Sequence, residues 1–316
     1  FEVEPNIQLP KYQKKIKVRV IRYMAENEDI DQALNQYQEQ HAIIKTIENG
    51  AKSGHFIKGD FQILDENNQP KQGSKLENQY IRLGFGLFKD DKEEGFLGAK
   101  EGDKVTITIP GKEREVTYQV KINRVEEQVL PALDDALAKT INDNANNLED
   151  LKQIIKKQVQ ASLDKDHKDA IRKEMINYFV QNVKLEAPES MVNRYLEHIK
   201  DDLKNRKQPI KEDEIKENYH SQAEWNIKWY LLKEQLVASE SIDIIDEELD
   251  GKISEMIITN KENEKQINSY YKQTDNRQRL FDEMLNDKLF EKLTEYSTIK
   301  VVEQSTSELR KQQANK

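Results

Sequence analysis

The stretch Val116-Thr117-Tyr118-Gln119-Val120-Lys121-Ile122 alternates β-branched or aromatic residues with polar ones, and a little further on Leu130-Pro131 ends that pattern. A period of two marks a strand with one buried face. Upstream, Phe56-Ile57, Phe61-Gln62-Ile63, Tyr80-Ile81-Arg82-Leu83 and Val105-Thr106-Ile107-Thr108-Ile109 have the same make-up. Turn formers at Asn67-Asn68-Gln69-Pro70, Gly84-Phe85-Gly86 and Pro110-Gly111 separate them. Together they predict a small antiparallel sheet of about five strands. After Leu130-Pro131 the pattern turns helical to about Tyr296, with few Gly or Pro to interrupt it. Strands followed by helices define an α+β chain with the two kinds of element kept apart.

Helical spacing is repeated along the second part. Leu148, Leu151, Ile155 and Val159, continued by Ile171, Met175, Ile176 and Phe179, predict one helix of roughly 30 residues. Pro188 sits where a first-turn proline is tolerated, ahead of Met191, Val192, Tyr195, Leu196, Ile199 and Leu203. Pro209 ends that segment. Ile215, Tyr219, Ala223, Ile227, Tyr230, Leu231 and Leu236 mark a third helix, and Leu249, Ile253, Met256 and Ile257 a fourth. A fifth is expected from about Glu264 to Tyr296, and Ser305 to Lys316 read as a polar tail, a frayed helix or a disordered end. At the other end, Lys17 to Tyr23 suit an exposed strand, and Glu28-Asp29 open a helix on Ile30, Ala33, Leu34 and Tyr37 that ends near His41.

With 36% hydrophobic and 34% charged residues among 316, the chain is expected to form two domains and an elongated, surface-rich molecule. The net charge is -9, and the cations are scattered through mixed-charge segments without forming a stripe, which disfavours nucleic acid as a partner. Runs such as Lys11, Lys14, Lys15 and Lys17 could touch acidic partners or ribosomal RNA, although their neighbours Glu2 and Glu4 dilute the field. Cysteine is absent, which removes thiol catalysis, disulfides and cysteine-ligated metals. No apolar run reaches the ~18 residues of a membrane span and no signal-peptide pattern is present. Because the sequence opens at Phe1 without an initiating Met, an upstream segment is expected to be missing.

Few constellations suggest small-molecule chemistry. Gly84-Phe85-Gly86 has no third glycine, helix start or later acid arranged for a dinucleotide, and reads as a turn. His41, His55, His167, His198 and His220 lie far apart with no zinc-ligand spacing, and are expected at the surface. Asp134-Asp135 and Asp201-Asp202 are adjacent pairs that point apart on a helix, so solvated faces explain them better than a hydrolase dyad. No metal and no cofactor is expected.

Four stretches together resemble trigger factor. They are Phe1-Glu2-Val3-Glu4-Pro5, Glu28-Asp29-Ile30-Asp31-Gln32-Ala33-Leu34, the run from Val125 through Leu130-Pro131 to Asp134-Asp135, and Glu186-Ala187-Pro188-Glu189-Ser190-Met191-Val192. They occur in the family's order and cover essentially the whole chain. The resemblance implies a linker strand and helix over 1–45, an FKBP-like prolyl isomerase domain over 46–127, a helical chaperone domain with arms over 128–304, and a tail over 305–316. It also implies a cytoplasmic protein whose partners are unfolded or nascent polypeptides. The family's Gly-Phe-Arg-x-Gly-Lys ribosome loop has no match here, so ribosome contact is expected only through a missing N-terminal domain, with no membrane and no direct nucleic-acid partner.

An FKBP-like site lowers the ~18 to 20 kcal/mol barrier of prolyl isomerisation with an apolar aromatic pocket. By the resemblance Phe61 is the strand aromatic, but the following Phe-acid slot falls at Pro70-Lys71. Gly84-Phe85-Gly86 matches the glycine loop, while the family's Ile-Pro-Gly-Phe-Glu slot reads Lys89-Asp90-Asp91-Lys92-Glu93. Glu94 to Asp103 keep the family's Gly-x-Lys-x-Gly-acid turn. The expectation is a retained fold with a degraded site, in which Phe61, Tyr80, Phe85, Phe88 and Phe96 are the candidate catalytic aromatics and packing is their plain alternative.

A surface that holds many unfolded chains needs apolar patches broken by polar groups. Candidate polypeptide-binding residues are Met191, Tyr195, Tyr230, Ile257, Ile258, Tyr270, Tyr271, Phe281 and Met284, with Trp225, Trp229, Met256 and Phe290 beside them. Interhelical packing is the alternative for each. The adjacent pairs Ile257-Ile258 and Tyr270-Tyr271 point to different helix faces, so one member of each is expected to be less buried. Two other functions stay open: an active isomerase whose helices recruit substrate, and a non-catalytic adaptor or scaffold.

Overall fold

The computed structural model describes residues 7–111, 115–206 and 212–314. The Phe1–Pro5 stretch and Pro209 lie outside the described residues. In chain order the elements are β1 (Ile16–Met24), α1 (Asn27–Gln40), β2 (Ile43–Thr46), β3 (Phe56–Leu64), β4 (Pro70–Arg82) and the single turn α2 (Asp91–Glu94). Next come β5 (Lys104–Pro110), β6 (Glu115–Val129), α3 (Asp135–Ile141), α4 (Leu148–Asn182), α5 (Glu189–Asn205) and α6 (Glu212–Ser239). The chain continues with α7 (Asp246–Thr259), α8 (Glu264–Tyr271), α9 (Thr274–Glu295), β7 (Ser297–Ser305) and α10 (Thr306–Ala314). The fold class is α+β. Contacts divide the chain into two units: a sheet unit, Glu26–Val159, and a second, mainly helical unit made of Phe1–Ala25 with Gln160–Lys316.

In the sheet unit β6 is the organising strand of a five-stranded antiparallel sheet. β3 runs along one of its edges, β2 and β5 occupy the two ends of the other edge, and β4 pairs outside β3. Alternation decides which side is buried. Ile57, Phe61, Val120, Ile122, Val105 and Ile107 face one core, which Leu83 and Phe96 complete. The predicted strands at Phe56-Ile57 and Phe61-Ile63 are one continuous β3, and the fifth strand is β2, which the sequence reading did not identify. A second, smaller core joins Ile30 and Leu34 of α1 to Ala138 of α3 and Leu151 and Ile155 of α4. The Asp134 carboxylate accepts from the Leu137 N–H at 2.9 Å and so caps α3.

One close approach in this unit depends on glycine. Gly50 has φ +46°, and a Cβ there would stand 2.7 Å from the Gly98 carbonyl oxygen. The two segments are locked together by Gly98 N–H to Ala51 O at 2.7 Å and Ala51 N–H to Ala99 O at 2.8 Å. Gly50→Ala is therefore expected to cost the sheet unit about 2 to 4 kcal/mol, from left-handed strain plus overpacking. Chemical denaturation followed through the sheet signal measures it, and a loss below about 0.5 kcal/mol, the usual range of a surface change, contradicts it.

The helical unit corrects three sequence expectations. Lys17–Tyr23 does not form a fully exposed strand: β1 buries Ile16, Val18 and Val20 in the main helical core and leaves Lys17 and Arg19 outside. Its partner is β7, paired in parallel from Ile16↔Ser297 to Met24↔Ser305. No strand was expected at 297–305, although Ile299, Val301 and Val302 supply the β-branched residues for one. The long fifth helix is in fact α8 and α9. Between them Gln273 is extended, and the buried Asn276 donates from Nδ2 to the Tyr270 carbonyl at 2.9 Å and to Gln273 Oε1 at 3.0 Å. The Tyr270 carbonyl also accepts from the Gln273 N–H at 3.3 Å, so the end of α8 is closed by one backbone and one side-chain donor, and the break needs neither Gly nor Pro.

The main core packs Met175 and Phe179 of α4 with Val192 and Leu196 of α5, Ala223, Leu232 and Leu236 of α6, and Leu289 and Leu293 of α9. Tyr12 enters it edge-on to Phe179, ring centroids 5.3 Å apart. Its hydroxyl donates to Glu240, which also accepts from Tyr296 at 3.0 Å. A separate small core contains Ile244, Leu249, Ile253 and Leu280, surrounded by half-buried side chains of α7, α8 and α9.

Burial, and then the Glu240 carboxylate, push the Tyr12 phenol up to about 12. A raised phenol means that the folded form binds its proton more tightly, so stability is intact below the ordinary tyrosine range and falls as pH rises from about 10 towards 12. Thermal unfolding followed by helical ellipticity across that window is expected to show the fall, and Tyr12→Phe to flatten part of it. An identical alkaline profile for the variant contradicts the assignment.

Candidate functional site

The candidate aromatics of the sheet unit fall into two groups. Phe61, Phe88 and Phe96 line up edge-on inside the sheet core, with centroids 6.3 Å apart for Phe61–Phe88 and 6.2 Å for Phe88–Phe96. Tyr118, which the sequence reading did not single out, extends the row at 6.0 Å from Phe61. Phe61 is 5% exposed and Phe96 0%, whereas Phe88 and Tyr118 are half-buried. The charged run at 89–93 becomes α2 and the turn leading into it, after which the Phe96 N–H bonds to the Glu93 carbonyl at 2.8 Å and the chain returns to the core. Glu93 Oε2 is buried without a hydrogen-bond partner.

Tyr80 and Phe85 stand elsewhere, both about half exposed. Tyr80 stacks on Phe56 at 5.3 Å, and its hydroxyl donates to Glu126, the one buried acid among the described residues. Burial first, then that carboxylate, pushes the Tyr80 phenol up to about 12. The Arg82 guanidinium lies 3.9 Å from the Phe85 ring centroid and 5.3 Å from that of Phe56. Phe56 carries a signal the sequence does contain, since strand alternation from the buried Ile57 sets it on the same face as its cross-strand neighbour Arg82.

On the helices, Met191 and Tyr195 of α5 are half-buried against the main core, and the Tyr195 hydroxyl accepts from Asn226 Nδ2 at 3.0 Å. Trp225 donates to Asn177 at 3.3 Å, and Trp229 stacks on Phe290 at 5.9 Å. Tyr230 lines an open groove of about 690 Å3 with Val237, Ile242 and Leu285. Ile257, Tyr271, Phe281 and Met284 lean on the small core of α7 and α9, as does Met256. Their chain neighbours do not: Ile258 is 69% exposed and Tyr270 50%. The structure thus parts both adjacent pairs, one member inward and one outward.

Among the described residues no three His, Asp or Glu side chains converge as metal ligands, and no helix is long and apolar enough to cross a membrane. What the two units define is an α+β chain with a five-stranded antiparallel sheet in one unit and long helices presenting apolar side chains in small groups in the other. Residues 147–295 match the family model described as bacterial trigger factor protein (TF) C-terminus. The trigger factor of Carboxydothermus hydrogenoformans is 28% identical over 281 residues, covering 81% of this chain and 65% of its own length. That of Macrococcus caseolyticus is 27% identical over 280 residues, covering 80% and 64%. A solved structure from work on promiscuous substrate recognition in folding and assembly by the trigger factor chaperone aligns with 92% of this chain and 72% of its own, at 21% identity and a TM-score of 0.47. The chain is similar to trigger factors along most of its length, and it spans about 65% of the length of the curated relatives it matches.

Proposed function

We propose that this chain is a molecular chaperone that holds unfolded or nascent polypeptides on apolar side chains its helices leave uncovered, working by its family relationship in the cytoplasm. The observation that carries the reading is the small core of α7, α8 and α9. Its four buried residues are ringed by half-buried Met256, Ile257, Tyr271, Phe281 and Met284, with Ile258 and Tyr270 turned out beside them. Flexible methionine and amphipathic tyrosine side chains repack against different partners, as a surface for many clients requires. In this reading residues 46–127 form an FKBP-like domain, 1–45 the linker segment and 128–304 the chaperone domain.

The same proposal holds that isomerase activity is weak or absent. Desolvating and twisting a prolyl amide needs an open apolar pocket, whereas Phe61 and Phe96 are spent on packing and a charged turn occupies the slot where the family carries Ile-Pro-Gly-Phe-Glu. An active isomerase is the second reading, favoured by the intact row from Phe61 to the half-buried Phe88. Suppression of aggregation of a denatured model enzyme, run beside a protease-coupled prolyl-peptide assay on one sample, separates them. Holding without turnover is the expected result. Turnover at the rate of an FKBP overturns the isomerase part, and the absence of both activities favours an adaptor.

A further inference from the structure

Both ends of the sequence are basic, and the parallel pairing of β1 with β7 brings Lys17, Arg19, Arg22 and Lys300 together against the single acid Glu303. Residues 1–25 carry six Lys or Arg against two Glu, and residues 297–316 four against two, a combined +6. Since the whole chain is -9, residues 26–296 carry -15. No sequence window contains this contrast, because its two halves are almost a chain length apart.

The ribbon has a sided arrangement. Ile16, Val18 and Val20 point into the main core, and Ile299, the partner of Val18, packs against the same core. Alternation therefore turns Lys17, Arg19 and Lys300 to the outer face, where all three are exposed. Arg19 and Lys300 are direct partners in the register, like charges on neighbouring strands. None of the three has an ion pair among the described residues. The nearby acids are engaged on the opposite face, where Arg22 bonds Asp164 at 2.8 Å and approaches Glu303 at 3.7 Å. Lys14 and Lys15 lead into the ribbon and are exposed as well. Like charges placed directly opposite on neighbouring strands destabilise a sheet, so an outside anion would relieve the contact.

We propose that the outer face of the β1–β7 ribbon is a binding surface for the phosphate backbone of single-stranded RNA. Lysine and arginine set at strand spacing, about 7 Å along a strand and about 5 Å across, with no aromatic platform between them, match contacts that hold a phosphate chain without reading bases. The acidic excess of residues 26–296, -15, makes the remainder of the sequence a poorer partner for the same polyanion. A second copy of the chain is a poorer occupant: a basic patch meeting an acidic one elsewhere is a heterologous contact, which does not close as a dimer. The proposal does not depend on the chaperone reading.

The test is fluorescence anisotropy of a labelled uridine oligonucleotide with the full chain as a function of salt. Three phosphate contacts on a single strand give a slope of log affinity against log salt of about -2. The triple variant Lys17→Gln, Arg19→Gln, Lys300→Gln is expected to bind on the order of tenfold more weakly at low salt and to lose most of that slope. Lys156→Gln, Lys157→Gln, Lys204→Gln makes the same charge change at other exposed positions and is expected to leave binding unaltered. Ellipticity confirms that both variants are folded, and Arg19→Gln alone gives a milder check. No binding by the wild type, or equal binding by the two triple variants, overturns the proposal. Displacement of the RNA by an equal concentration of polyglutamate assigns the face to acidic polypeptide instead. Low-salt self-association in sedimentation that only the ribbon variant loses assigns it to a second copy.

Discussion

The double variant Ile258→Asp, Tyr270→Asp is expected to lose most of the chain's ability to suppress aggregation while unfolding at nearly the wild-type temperature. Both side chains are turned out, Ile258 at 69% and Tyr270 at 50% exposure, so neither removal opens a cavity. Covering such a side chain with a client stabilises the complex by about 1 to 2 kcal/mol, and the two together by enough to weaken holding on the order of a hundredfold when lost. A carboxylate in each place adds desolvation cost to every apolar client. The inward neighbours provide the contrast. Ile257→Asp and Tyr271→Asp put charge against the small core of Ile244, Leu249, Ile253 and Leu280, and are expected to lower stability as well as holding. The assay is light scattering of a denatured enzyme, with thermal unfolding on the same samples. Full holding by the double variant moves the client surface away from α7 and α8.

Phe179→Ala carries the largest expected stability loss. The ring is 0% exposed and touches Tyr12 and Tyr178 edge-on, each with centroids 5.3 Å away. Removing a buried phenylalanine costs about 3 to 5 kcal/mol, the lost transfer energy plus the cavity left behind. The upper part of that range is expected, because α4, α5, α6 and α9 all contribute to the surrounding core and cannot collapse independently. Tyr12 would also lose the ring that positions its hydroxyl on Glu240. Urea unfolding followed by far-ultraviolet ellipticity measures the change. A loss under about 1 kcal/mol would mean that the helical core repacks, and the rigid-core account would fail.

Much of the candidate surface was legible beforehand for a simple reason. Adjacent residues on a helix are about 100° apart, so the pairs Ile257-Ile258 and Tyr270-Tyr271 had to divide between core and solvent. Which member turned out was not legible, since it depends on where Leu249, Ile253 and Leu280 come together. In the sheet unit the sequence could name Phe61, Tyr80, Phe85, Phe88 and Phe96 but not sort them. Sorting required the register that sets Phe56 beside Arg82 and the turn that returns Phe96 to the core.

By itself the sequence determined the α+β class, the strands that alternate along β3, β5 and β6, and the helical stripes of α4, α5 and α6, because burial of one face imposes a period that neighbouring residues reveal. Tertiary structure alone decided three things: the break between α8 and α9, the pairing of β1 with β7, and the basic face that pairing creates. Each rests on groups distant in sequence or on one side-chain amide replacing a backbone bond. A local pattern carries no information about a partner that lies at the other end of the chain.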